Sequence, residues 1–280
     1  MSRLSGDLVR HKLATRIFGQ NIICIDQIGS TNTELKALAG KGAPAGFLYL
    51  ANEQLAGRGR LKGRKWIAPP DSSLLLSLLF RPTDVVPPPQ AQQLTMLCAL
   101  ALIDAIEQQI GLRPDLKWPN DLVWKDGKKL AGILTELEIE DNRLLWVVVG
   151  IGLNVNLDFK KQSELDNAYG KSGNGGPPLF QTATSLSMIL GRDTSADRLP
   201  ILQRFLEKVE RRYEALEQGQ LFHQEWSRHL VGLGEPITVS GPDKTYKGMM
   251  LGVDENGALL LKQNDSSIET ILAGDVTIHW

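Results

Sequence analysis

The stretch from residue 115 to residue 151 constrains the fold more than any other part of the chain. Four short β-rich segments, near 115–118, 121–124, 131–140 and 144–151, follow one another with only tight connections between them. Lys125-Asp126-Gly127-Lys128, between two of these segments, reads as a hairpin turn, because Asp-Gly tolerates the positive φ angles that such turns demand. Parallel neighbours need long crossovers, usually helical, so strands joined this closely pair antiparallel. The expectation is an α+β fold with a mixed, largely antiparallel sheet and flanking helices, and not a doubly wound nucleotide fold.

The remaining elements fit around that sheet. Ile22, Ile23, Cys24, Ile25 and Ile28 predict a strand over 22–28. Thr31-Asn32-Thr33-Glu34 reads as a capping box, which by itself accounts for Thr31, followed by an apolar stripe of Leu35, Leu38 and Ala39 and a stop at Gly40. Residues 47–52 and 73–80 read as buried strands. Leu94, Leu97, Cys98, Ala101, Leu102, Ala105 and Ile106 recur at helical spacing and predict a helix over about 90–110, ended by Gly111. Residues 159–178, rich in Gly, Asn, Ser and Lys, read as a flexible surface insertion. Helices are expected over 198–218 and 220–230. Gly232 and Gly234 then open a different texture: five short strands within the 46 residues from Glu235, the size of a small SH3-like β-barrel. The expected division is a catalytic domain over 1–232 and an SH3-like domain over 233–280.

Composition narrows the functional classes. Hydrophobic residues make up 42% and charged residues 22%, so a core can form and disorder is excluded. A net charge of −1 argues against a protein that coats nucleic acid through global charge. Cys24 and Cys98 lie far apart and the four histidines are scattered, so no metal site is expected. No run of about 18 apolar residues exists to span a membrane, and Met1 to Gln20 lacks the apolar stretch of a secretory signal, which makes the cytoplasm the expected compartment.

Five segments could carry chemistry. Gly57-Arg58-Gly59-Arg60-Leu61-Lys62-Gly63-Arg64-Lys65-Trp66 packs five cations and three glycines into ten positions. Arginines grip phosphate or carboxylate bidentately, and glycine backbone can approach an anion closely. The segment is equally compatible with a solvated basic loop, or with a nucleic-acid contact in which Trp66 stacks on a base; it is not a Walker A loop. Lys117-Trp118-Pro119-Asn120-Asp121 either shapes a turn or lines the mouth of a pocket. Lys129 enters a strand beside small and apolar residues up to Gly132: outward it is a surface charge, inward a point charge suited to phosphate or an oxyanion. Gly150-Ile151-Gly152-Leu153-Asn154 puts glycines in a central strand, a sign that something packs against the backbone there. Ser30-Thr31-Asn32 needs no role beyond capping. No Ser–His–Asp or Cys–His nucleophile stands out. Abundant anion-binding elements without a covalent nucleophile suit activation of a bound carboxylate by a nucleotide.

Taken together and in this order, Ser30 to Asn32, Gln54 to Trp66, Lys117 to Asp121, Lys129 to Gly132, Gly150 to Asn154 and Ala183-Thr184-Ser185-Leu186 resemble the biotin–protein ligase family, also called biotin–[acetyl-CoA-carboxylase] ligases. The resemblance implies a class II synthetase-like catalytic domain that converts biotin and MgATP to biotinyl-5′-AMP. It then transfers biotin to a lysine of a biotin carboxyl carrier protein. Ser30, Thr31, Asn32, Gln54, Arg58, Gly59, Arg60, Lys129 and Gly132 would hold biotin. Arg58, Arg60, Trp66, Asn120, Lys129 and Asn154 would border ATP. Lys129, Arg60 and Asp121 would carry the chemistry, Lys129 on the α-phosphate and Asp121 toward the acceptor amine. Mg²⁺ would be carried mainly by the phosphates, and a homodimer is allowed. The loop departs from the family spacing by one residue, at Leu61-Lys62. About 20 residues precede the first strand, too few for the winged helix-turn-helix of bifunctional members, so no DNA partner is expected. A lipoate–protein ligase and a non-enzymatic nucleic-acid-binding module are the rival readings.

Overall fold

Leu74-Leu75-Leu76 and Leu78-Leu79-Phe80 form a strand buried on both faces, and the rest of the molecule is arranged around it. The computed structural model describes residues 3–60, 65–82, 85–161, 178–191, 194–241 and 244–277. In chain order its elements are α1 (Gly6–Arg10), β1 (Ile22–Ile28), α2 (Thr31–Gly40), β2 (Leu48–Arg58), β3 (Lys65–Ala68), β4 (Ser73–Phe80), α3 (Gln92–Ile110), β5 (Asp115–Lys117), β6 (Asp121–Val123), β7 (Lys129–Glu140) and β8 (Arg143–Asn154). There follow α4 (Leu179–Thr182), α5 (Leu186–Leu190), α6 (Arg198–Glu217), α7 (His223–Arg228), β9 (Pro236–Ser240), β10 (Thr245–Val253), β11 (Leu259–Lys262), β12 (Ile268–Ile271) and β13 (Asp275–Thr277).

The large sheet runs β1-β2-β4-β8-β7-β6-β5, with β3 hairpinned onto β2. Only β1 and β2 pair parallel, across the helical crossover α2; every other pair is antiparallel. Strand residues alternate faces, so Leu74, Leu76, Leu78 and Phe80 join the main core with α3 and α6, while Leu79 packs with Leu35 and Ala39 of α2. A strand covered on both sides is apolar throughout, and this leaves Ser77 as a polar residue inside a leucine run. Helix α3 is apolar on most of its circumference because the sheet, α6 and the C-terminal domain all pack on it.

Two sequence expectations change. Ser30, not Thr31, is the N-cap of α2, and its side chain makes no capping hydrogen bond; Thr31 is the first helical residue, and its hydroxyl is drawn instead to neighbouring strands. The glycine- and arginine-rich segment begins as strand rather than loop: Gly57 and Arg58 end β2 and pair with Trp66 and Lys65 of β3. Residues 61–64 and 162–177, most of the expected insertion, lie outside the described residues.

The C-terminal strands form a five-stranded antiparallel sheet, β12-β11-β10-β9-β13, of SH3-like type. Its hydrophobic residues, Ile237, Val239, Met250, Leu259 and Leu261, are continuous with the main core. Polar side chains also tie this segment to the rest of the molecule. Gln93, fully buried on α3, donates to Glu255 O at 2.6 Å and accepts from Phe222 N at 2.7 Å. Trp118 donates its indole N–H to Gly257 O at 3.0 Å. Trp118 is therefore an anchor for the second domain, 3% exposed, and not part of a pocket mouth.

Candidate active site

The parallel crossover β1-α2-β2 brings the start of α2 down onto the sheet beside the end of β2. There Thr31 N–H donates to Gln54 Oε1 at 2.9 Å, and Thr31 Oγ1 lies 3.2 Å from the same oxygen. A backbone N–H can only donate, so Gln54 must turn its oxygen toward the helix and its NH2 away from it. Ser77 of β4 lies beneath, 2.8 Å from Thr31 Oγ1 and 2.5 Å from Asn32 Oδ1. Asn32 donates to Leu134 O at 3.0 Å and to Glu136 Oε2 at 2.9 Å. Thr31, Asn32, Gln54 and Ser77 are all buried, and buried polar groups are tolerated only when paired this way.

Thr31, Asn32 and Gln54 are part of a cavity lined also by Ser30, Arg58, Gly59, Arg60, Trp66, Asn120, Lys129 and Gly132, together with Leu76, Ile133, Leu134, Gly150, Ile151 and Gly152. The glycines of β7 and β8 seat the protein's own side chains. A Cβ on Gly150 would lie 2.0 Å from Asn32 Oδ1, and one on Gly152 would lie 2.5 Å from Cε2 of Trp66. Gly132 and Gly152 pair across the two strands, and the Trp66 indole lies over both. The Trp66 indole nitrogen is buried without a hydrogen-bond partner.

The same cavity carries cations. Lys129 turns inward, with Nζ 2.7 Å from Asp121 Oδ1 and 5.5 Å from the Trp66 ring centroid. Asn120 is pinned in the turn before β6: its side chain donates to Ile133 O at 2.5 Å, and its carbonyl accepts Ile133 N at 3.0 Å. Arg58 donates to Thr33 Oγ1 at 3.0 Å and reaches Glu136 Oε2 at 3.4 Å. Arg60 crosses to the C-terminal sheet, donating to Gly274 O at 2.9 Å and Asp275 Oδ1 at 2.7 Å. Glu136 is also ion-paired with Lys36. Burial opposes its ionisation, but hydrogen bonds from Lys36 and Asn32 and the charges of Lys36 and Arg58 outweigh it, so its carboxyl titrates below its ordinary value.

Eleven of the thirteen residues singled out from the sequence thus share one cavity. Asp121 is tied to it through Lys129. Asn154 is not part of its lining: 2% exposed, it donates to Thr184 O at 3.1 Å. Sequence reasoning missed Ser77, Glu136 and Asp275. Ser77 had a signal, a lone hydroxyl inside a leucine run; Glu136 and Asp275 had none, because their partners lie far away in sequence. Among the described residues no cluster of three or more His, Cys, Asp or Glu could hold a metal ion.

Chemically, the cavity joins polar groups, with donors and acceptors at fixed positions, to the cations Arg58, Arg60 and Lys129. That arrangement suits a ligand with a neutral polar head and an anionic tail, whose carboxylate or phosphate meets the cations.

Comparisons with known proteins identify the chain's relatives. The model of the biotin/lipoate A/B protein ligase family matches residues 24–154, and that of the biotin protein ligase C-terminal domain matches residues 232–278. The chain is 34% identical to the bifunctional ligase/repressor BirA of Bacillus subtilis over 281 residues, 99% of this chain and 79% of that protein. It is 34% identical to the biotin–[acetyl-CoA-carboxylase] ligase of Mycobacterium tuberculosis over 260 residues, 90% of this chain and 86% of that protein. Among solved structures, the biotin protein ligase of Aquifex aeolicus in complex with biotin and ATP superposes with a TM-score of 0.70 at 26% identity, covering 92% of this chain and 98% of that one.

Proposed function

We infer the chemistry of the cavity from one premise: the chain belongs to the biotin/lipoate A/B protein ligase family. It is an ATP-dependent biotin–[acetyl-CoA-carboxylase] ligase, which activates biotin to biotinyl-5′-AMP and transfers it to the carboxylase carrier subunit. The residue roles are our proposal, and one observation carries them: the polar groups of Thr31, Asn32 and Gln54 and the cations Arg58, Arg60 and Lys129 line one cavity.

Thr31, Gln54 and Ser30 face the ureido ring of biotin, which presents one carbonyl oxygen and two N–H groups. Gln54 supplies a donor, since its oxygen is committed to Thr31 N–H. The valerate chain runs along the Trp66 indole, which itself covers Gly132 and Gly152, and the carboxylate arrives at Lys129 and the Arg58–Arg60 segment. In the first step a carboxylate oxygen attacks the α-phosphorus and pyrophosphate leaves. Lys129 is a point charge at that centre, held in line by Asp121, and it stabilises charge as it develops. Its three N–H bonds let it keep Asp121 while it contacts ligand oxygens. In the second step the acceptor amine attacks the mixed anhydride and AMP leaves. Asp121 is the carboxylate we assign to the departing amine proton. Mg²⁺ belongs to the triphosphate, as is usual for an ion that keeps most of its waters.

We assign the reaction to the cytoplasm, with a biotin carboxyl carrier protein as acceptor; no helix among the described residues is long and apolar enough to cross a membrane. A homodimer is supported by the far half of β7, which has β6 beside it only as far as Gly132 and carries exposed Leu137 and Ile139, an open edge suited to strand pairing. Mass spectrometry after incubation with biotin and MgATP tests the reading: bound biotinyl-AMP and released pyrophosphate are expected, with neither formed when lipoate replaces biotin. Lipoyl-AMP would refute the assignment of the polar end to a ureido ring.

A further inference from the structure

Glu136 lies across the cavity wall from the ligand space and is absent from the cavity lining, yet it ends a chain of hydrogen bonds that leads into that space. The chain has a direction. Glu136 is a carboxylate and Leu134 offers a carbonyl, so both can only accept. Asn32 must therefore turn Nδ2 toward them and its oxygen toward Ser77, 2.5 Å away. An amide oxygen cannot donate, so the single Ser77 proton goes to Asn32. Thr31 Oγ1, 2.8 Å from Ser77, then receives no proton from Ser77. Its own proton goes to Gln54 Oε1, 3.2 Å away. With that proton committed, the Thr31 hydroxyl meets the cavity as an acceptor.

We propose that Glu136 is a positioning residue which, through Asn32 and Ser77, sets Thr31 as a hydrogen-bond acceptor for a ureido N–H of biotin. Gln54 beside it stays a donor, so the polar end matches a ring that offers both N–H and C=O. The inference rests on the assignment of Thr31 to the ureido ring made above. Without Glu136, Leu134 O alone opposes rotation of the Asn32 amide. The rotated amide would donate to Ser77, Ser77 would donate to Thr31, and the polarity facing the ligand would reverse. The geometry also accounts for Gly150, since any Cβ there would collide with Asn32 Oδ1 at 2.0 Å. The depressed titration of Glu136 keeps it in the acceptor-only form throughout the neutral range.

Steady-state pyrophosphate release by purified Glu136→Leu, Glu136→Gln, Ser77→Ala, Thr31→Val and Glu136→Leu/Thr31→Val proteins tests this. Glu136→Leu should raise KM for biotin about tenfold, the weight of one hydrogen bond, with kcat and KM for ATP within about twofold, whereas Ser77→Ala, which leaves no hydroxyl to turn toward Thr31, should keep KM for biotin within about threefold of the parent. Glu136→Gln keeps an acceptor oxygen for Asn32 and should return KM for biotin to within about threefold of the parent. The double variant should be no worse than Thr31→Val alone, because both act on one contact. If Glu136→Leu fails to fold, Ser77→Ala still decides, since a tenfold rise in KM there would mean that Thr31 relies on a proton from Ser77. That result, an unchanged KM in Glu136→Leu, or additive losses in the double variant overturns the inference while leaving the pocket assignment intact. An unchanged KM in Thr31→Val overturns the pocket assignment itself.

Discussion

Replacing Lys129 by methionine separates the chemistry of this site from its architecture. Methionine keeps an unbranched stem of similar length beside Gly132 and Trp66 and removes only the charge. Two quantities then compete. The ammonium is 2.7 Å from Asp121, but the two side chains are 35% and 24% exposed. Solvent screens a pair of that kind, and its loss costs stability only about 0–1 kcal/mol, or a Tm shift of at most about 4 °C at this chain length. The same ammonium is assigned to charge that appears only as pyrophosphate leaves. Removing such a contact costs about 3–4 kcal/mol in the barrier, or ~10²–10³-fold in kcat. Catalysis should therefore collapse while the fold stays nearly unaffected. Pyrophosphate release measured beside calorimetric biotin titration and thermal melting provides the three readings. Biotin should still bind, because the polar end is untouched, with at most about tenfold loss from the carboxylate contact. A kcat within tenfold of the parent, or a loss of biotin binding as large as the loss of kcat, would refute the role given to Lys129.

Gly152→Ala places a methyl 2.5 Å from the Trp66 ring. The indole must move, and the strain should cost about 1–3 kcal/mol, read as a lower Tm with altered tryptophan fluorescence; unchanged spectra would mean that Trp66 does not rest on this floor. Arg60→Gly removes the side chain that spans from the cavity to Asp275. Biotinyl-AMP should then escape and label bystander lysines, and a streptavidin blot of added serum albumin that stays blank counts against this. Glu225 and Glu136 both titrate below their ordinary 4.5, Glu225 chiefly through hydrogen bonds from Arg212, and Glu136 through bonds and charges that overcome burial. Such groups stabilise the fold above pH 4.5 and lose that contribution as pH falls through their folded values. Tm should thus hold steady from pH 7 to about 5 and fall below it, less steeply in Glu225→Gln; an identical acid limb in that variant would be contrary evidence. In a low-salt gel shift the protein should not retain DNA, because the C-terminal segment sets Lys244, Lys247 and Lys262 against seven acidic residues; selective retardation strengthened by biotin and ATP would reverse this.

The elements that local chemistry dictates were legible in the sequence alone. The strand over 22–28 and the helix ending at Gly111 match the observed elements, as do the tight strand succession after 115 and the five short C-terminal strands. Apolar periodicity, turn residues and helix stops act within a few positions, and each competes only with its neighbours. The segments that come to line the cavity were legible too, because charged and glycine-rich stretches advertise themselves in composition. What each residue touches was not. Thr31 fits a capping box by spacing, and only the crossover that lays α2 against β2 and β4 gives its hydroxyl better partners in Gln54 and Ser77. The glycines at 150 and 152 announce close packing but not its occupants, which arrive from α2 and β3 as Asn32 and Trp66. Glu136 and Asp275 read as ordinary surface acids until the fold brings Asn32, 104 residues away, and Arg60, 215 residues away, within hydrogen-bonding distance. Hydrogen bonds and ion pairs act over about 3 Å, so a pairing between distant residues exists only once the chain has closed on itself, and no local pattern encodes it.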